Sequence, residues 1–231
     1  TLAAQLDARL KEMGVSGYSI ENVSQVQDKN GEWRPIDSDK DPTVILLHYP
    51  SILEDTINYI PPRVKIEISC LSMDEPTELR PIRSLIGESF DGEDTDAESL
   101  VRTVVPSRTF LEKLFLLAEE FQKEKPRSVR MSRHLYDLEK LMDTEYGKEA
   151  LSNRELYDAI VEHRKAYYAL KYVNYDSHTP STINFTIPES AMEAWQDDYA
   201  DMRRFFIYGE SLEFDELMQK MRELQERVRI M

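Results

Sequence analysis

The sequence predicts an α+β protein: a partial mixed sheet with one helix in residues 1–105, then a bundle of about five helices in residues 106–231. Three observations carry this. Before residue 105 apolar and polar residues alternate in short runs, the period of a strand. Beyond it, apolar residues recur at three and four positions, the period of a helix. The apolar clusters are also spread along all 231 residues, 41% of which are hydrophobic, so both halves can bury a core.

Residues 2–13 place Leu2, Leu6, Leu10 and Met13 at helical spacing, and Gly14 follows as a stop, so the first element is a short amphipathic helix. The run YSIENVSQVQ, residues 18–27, alternates as a strand, and Lys29-Asn30-Gly31 marks a turn. TVILLHY, residues 43–49, is an apolar run of strand length that reads as its neighbour. In residues 63–69, Val64, Ile66 and Ile68 fall on one side and Lys65 and Glu67 on the other, which predicts a strand with one packed and one charged face. Between Arg83 and Arg102 stand six carboxylates (Glu88, Asp91, Glu93, Asp94, Asp96, Glu98) and no Lys or Arg, an exposed connection rather than a metal loop. Residues 101–105 form a short strand, and Pro106 suits the first turn of a helix that runs to about residue 125, where Pro126 closes it. Met131, Leu135, Leu138 and Met142 then make an apolar stripe; Leu156, Ile160, Tyr167 and Leu170 mark a longer helix; residues 188–208 form another. Phe214, Leu217, Met218, Met221, Leu224 and Val228 give the last helix a regular seam, too short for a coiled-coil dimer and better docked on its own domain.

Composition narrows the function. Forty-four carboxylates against 29 Lys plus Arg give a net charge of −15, which disfavours a general nucleic-acid coat and leaves room for a local basic pocket. The single cysteine, Cys70, has no partner for a disulfide, and the four histidines show no zinc spacing. No apolar run reaches membrane-spanning length and the start has no signal-peptide core, so a cytoplasmic protein without a membrane partner is expected. The chain opens at Thr1 in helix-like sequence, and is expected to be part of a longer protein.

The chemistry concentrates in RTFLEKLFLLAEEFQKEKPRSVRMSRHLYDL, residues 108–138. On one continuous helix, Arg130, Arg133, His134 and Asp137 fall within about a 100° arc beside the Met131 stripe. On the preceding helix Phe110, Leu114, Leu117 and Phe121 face inward with Lys113 at their edge, and an antiparallel pairing brings Lys113 toward that arc. Cations grouped around a carboxylate suit a polyphosphate, and so phosphoryl or nucleotidyl transfer. The competing reading is an ordinary helix surface in which Arg133 and Asp137 form an i,i+4 pair.

Arg108-Thr-Phe-Leu-Glu-Lys113-Leu, followed by Arg130-Met-Ser-Arg133-His-Leu-Tyr-Asp137-Leu, resembles the C-terminal signature of the AbiEii/AbiGii toxin family of nucleotidyltransferases. The resemblance continues through Glu162-His163-Arg164 and Trp195-Gln-Asp-Asp-Tyr199 and covers most of residues 60–231. It implies a nucleotidyltransferase-type sheet followed by a helical domain, and an enzyme of a toxin–antitoxin or phage abortive-infection system. Such an enzyme moves a nucleotide from a nucleoside triphosphate to RNA or protein, with Mg2+ and a cognate antitoxin as partner. By that resemblance Glu67 matches the strand carrying the third metal-binding acid, Lys113 the lysine of the E-K-L motif, and Arg133 and Asp137 the arginine and second acid of R-D-x-x-D-L. Arg130 joins Arg133 in binding nucleotide. These five residues are expected to converge on one cleft.

Two departures stand out. The first acid of R-D-x-x-D-L is His134 here, and the family's glycine loop with its Asp-x-Asp pair occurs nowhere in the sequence. Glu93-Asp94-Thr95-Asp96 has the letters but follows the third-acid strand. The complete active site is therefore expected to need residues beyond this chain, with the opening helix matching the segment after the missing motif. A scaffold that has lost chemistry and holds a partner is the competing class. The tyrosines around Glu162-His163-Arg164 read as packing.

Overall fold

The run at residues 43–49 becomes the centre of a three-stranded antiparallel sheet. The computed structural model describes residues 1–27, 32–37, 41–52, 61–68, 76–90 and 98–231. The Lys29-Asn30-Gly31 turn, Cys70 and most of the acidic stretch (91–97) lie outside them. Contacts divide the chain into two units, residues 1–72 and 73–231.

In the first unit α1 (Leu2–Glu12) ends as the sequence predicts: Gly14 takes a left-handed φ of 75°, and the Gly14 and Val15 N–H groups cap the carbonyls of Lys11 and Leu10. β1 (Ser19–Asn22), β4 (Thr43–His48) and β5 (Arg63–Ile68) form the sheet in the order β1-β4-β5, with Ile45 opposite both Asn22 and Ile66. Val44, Ile45 and Leu46 are all buried, as expected of a central strand covered on both faces. The run 18–27 does not stay in one strand. Its second half is β2 (Gln25–Gln27), which pairs with β3 (Trp33–Pro35) in a separate two-stranded sheet. β5 also differs from expectation: Ile66 is half-buried, but Val64 and Ile68 remain exposed, because β5 lies at the sheet edge.

The second unit opens with a hairpin of which the sequence pattern revealed only the end of the second strand, β6 (Thr77–Arg83) against β7 (Glu98–Val104), with α2 (Leu85–Ser89) after β6. The α+β class holds, with the strands in three small antiparallel sheets rather than one mixed sheet. Pro81 is tolerated because a two-stranded ladder leaves every strand an edge.

Helices follow. α3 (Pro106–Glu120) is enclosed by α4 (Arg133–Met142), α5 (Glu145–Ser152) and α6 (Arg154–His163) and buries Phe110, Leu111, Leu114, Phe115 and Leu117 completely. α5 fits against the end of α4 only because residue 147 is glycine; a methyl group there would overlap the Leu141 carbonyl. The longer helix read from Leu156 to Leu170 is interrupted: α6 widens into a π-turn, Arg164–Tyr168, which Ala169 ends at φ 44°. α7 (Met192–Phe205) and α8 (Phe214–Arg229) complete the unit, and the whole predicted seam of α8, from Phe214 to Val228, is buried against its own unit. Among the described residues no helix is long and apolar enough to cross a membrane.

Candidate functional site

α3 and α4 are neighbours in one core, so a residue at the edge of either apolar stripe faces the other helix. Lys113 and Asp137 occupy those edges, and their side chains meet: Lys113 Nζ lies 2.6 Å from Asp137 Oδ2, with both groups partly open to solvent. The turn-around between the helices is held by Glu120, the last residue of α3. Its buried carboxylate accepts from Lys123 Nζ and from the Arg127 backbone, each at 2.7 Å. Burial raises the pKa of this carboxyl, but the hydrogen bonds from Lys123 and Arg127 outweigh it and hold the group below the usual carboxylate range.

The polar arc read on one helix is corrected in two places. Arg130 is not helical. It precedes α4 in a turn at φ 58°, because α4 begins only at Arg133. His134 leaves the polar face and is buried, 8% exposed, among the α4 core residues. Burial first, then the charges of Lys113 and Arg133, push its pKa down to about 4 against a smaller opposite pull from Asp137. At neutral pH His134 is therefore uncharged and replaces the motif's carboxylate neither in charge nor in exposure. Arg133 is exposed and has no ion-pair partner among the described residues. The face that remains offers Lys113 and Arg133 against Asp137, an arrangement able to receive phosphate oxygens.

Glu67 lies in the first unit, exposed on β5, where its carboxylate is tied to Lys65 at 2.7 Å. Among the described residues no three His, Cys, Asp or Glu side chains stand close enough to hold a metal ion. Among the described residues, Glu67 therefore belongs to no group of three ligands for the Mg2+ that the motif resemblance implies.

Beneath the site runs a set of buried charges that the sequence did not reveal. Arg164, 4% exposed, grips Glu119 through two bonds of 2.7 and 2.5 Å, also pairs with Glu112, and lies 4.5 Å from the Tyr168 ring. Glu112 pairs further with the buried Arg108 at 2.5 Å. Burial works against the Arg164 charge, yet Glu119 and Glu112 more than compensate and raise its pKa above the ordinary guanidinium value. Glu112 is the immediate neighbour of Lys113, so the buried network and the Lys113–Asp137 pair meet on adjacent residues of α3. Of the tyrosines around Glu162-His163-Arg164 that read as packing, Tyr157 is fully buried, whereas Tyr167, Tyr168 and Tyr172 are exposed.

A family model described as nucleotidyl transferase AbiEii toxin, type IV toxin–antitoxin system, matches residues 3–220. The match thus includes the first unit, which lies mostly outside the motif resemblance. No curated protein matches the chain.

Proposed function

We propose a reaction for this chain, which belongs to the AbiEii nucleotidyl transferase toxin family: nucleotide transfer from a nucleoside triphosphate to a hydroxyl of RNA or protein. The acceptor oxygen attacks the α-phosphorus, the α–β anhydride bond breaks, its electron pair leaves on pyrophosphate, and the hydroxyl proton passes to solvent. Lys113, Arg133 and Arg130 bind the phosphates and offset the charge that grows on the leaving pyrophosphate. Asp137 orients Lys113. The observation that carries the reading is the Lys113–Asp137 pair at 2.6 Å joining the two motif helices beside the exposed Arg133. The Mg2+ expected from the resemblance has no ligand set among the described residues, and these roles do not depend on it. A cognate antitoxin is the protein partner that fits a toxin of this family.

A second reading, a binding scaffold without chemistry, is favoured by one observation: buried, uncharged His134 stands where the motif has a carboxylate. One experiment separates the two. ATP with magnesium is titrated into the chain by calorimetry, and labelled nucleotide incorporation into total RNA is assayed in parallel. Binding with incorporation of label is expected on the enzyme reading and binding without incorporation on the scaffold reading, and Lys113→Ala should weaken binding about ten-fold. Turnover would establish chemistry in this chain. No binding even at millimolar ATP would reduce the basic face to a solvated surface.

A further inference from the structure

The turn that presents Arg130 is held from a distant helix. Asp198, half-buried on α7, accepts the Arg130 backbone N–H on Oδ1 at 2.5 Å, and the Ser132 backbone N–H and hydroxyl on Oδ2 at 2.9 and 2.5 Å. Arg130 stands in the left-handed region, which costs a residue bearing a Cβ about 1 kcal/mol. It is neither Gly nor Asn, the residues that adopt this region readily, so the conformation depends on the three charge-assisted bonds to Asp198. Ser132 is the residue before α4 and makes no side-chain cap of its own; its hydroxyl is turned to Asp198 instead.

Two effects follow. The Asp198 carboxylate takes up the Arg130 and Ser132 N–H groups just before α4, so those two backbone donors are not available to an incoming phosphate. It also fixes where Arg130 leaves the backbone relative to Arg133, three residues on. We infer that Asp198 is a positioning residue for phosphate binding: by pinning residues 130–132 it aims Arg130 so that both guanidinium groups serve one triphosphate. This rests on the nucleotide reading above.

A simple helix cap would use the same contacts but would not couple to Arg130. ATP with magnesium is therefore titrated into the full chain as wild type, Asp198→Asn, Arg130→Ala and the double variant. Tyr199→Phe, on the same helix as Asp198, serves as a control for lost stability, since it removes the bond from that hydroxyl to the Leu212 carbonyl. Asp198→Asn should weaken ATP binding about five-fold. The double variant should bind no more weakly than Arg130→Ala alone, and Tyr199→Phe should lower the melting temperature but keep the affinity. If Asp198→Asn fails to fold, Ser132→Ala removes only one of the three bonds and should show a smaller loss that also vanishes without Arg130. Unchanged affinity in Asp198→Asn, or an equal loss with and without Arg130, overturns the inference and leaves the nucleotide reading standing. Absence of ATP binding by the wild type overturns that reading, and the positioning role with it.

Discussion

β4 and α3 are the most enclosed strand and helix of their units, and they are enclosed differently. β4 buries three consecutive apolar residues, yet its neighbour β5 leaves Val64 and Ile68 open to solvent. α3 buries ten of its fifteen residues, and among them are Arg108, Glu119 and Glu120. Charges so deep persist only when paired: Glu119 pairs with Arg164, Arg108 with Glu112, and Glu120 with Lys123 and Arg127. The contrast teaches where precise chemistry can be held. Lys113 rides on a helix with a buried ionic network, whereas Glu67 rides on an edge strand and pairs with the equally exposed Lys65.

The contrast is tested hardest at Arg164. Arg164→Ala strands buried Glu119 without its cation and should cost about 3–5 kcal/mol, while Val64→Ala should stay within about 0.5 kcal/mol. Denaturant melts of both variants measure this, and equal losses would dissolve the distinction between the units.

Acid should act next, and on the second unit. His134 and His178 have pKa values pushed down to about 4, in both cases first by burial, then by Lys113 and Arg133 around His134 and by Arg164 near His178; Asp137 opposes the shift at His134 and Arg127 adds slightly to it. Both titrate near 6.5 when unfolded. Between these values the unfolded chain binds the extra protons, so stability that is full above pH 6.5 declines as the pH falls toward 4. The loss is on the order of 1–3 kcal/mol per histidine. Melting temperature against pH should show it, and His134→Gln should flatten part of the curve; a profile already flat in the wild type would contradict the burial assigned to both rings.

The smallest effect belongs to Glu67. Its pairing with Lys65 is exposed, so Glu67→Gln should change stability by less than about 0.5 kcal/mol. A melting temperature lowered by several degrees would show that β5 is tied down more firmly than its exposed side chains indicate.

What the sequence made legible follows period and phase. The apolar run of β4, the Gly14 stop and the α8 seam are local patterns, and the Lys113–Asp137 contact follows from two helical phases brought together. Arg130 escaped that arithmetic because phase holds only inside a helix, and the start of α4 is set by Asp198, far along the chain. His134 escaped it because the core wraps further round α4 than its four stripe residues indicate. Of the β6–β7 hairpin only the end of β7 was legible, as the strand at residues 101–105; β6 left no signal, since Leu79 and Ile82 are exposed and no alternation between buried and open faces is imposed on it. Arg164 reads as a surface residue in any single sequence; only Glu112 and Glu119, two turns apart on another helix, make its burial tolerable.

The π-turn at Arg164–Tyr168 bears on how this chain can change length. Its closing bond runs from the Ala169 N–H to the Arg164 carbonyl, five residues back, so it is in effect an insertion stored inside a helix. Deleting one residue there would restore α spacing and swing the following chain by about 100°. That chain, Tyr175 included, would move as one and carry His178 off the Phe115 ring. The interval from Arg164 to His178 therefore has no slack, and a descendant sequence one residue shorter there must either reroute that segment or surrender the Arg164–Glu119 pair.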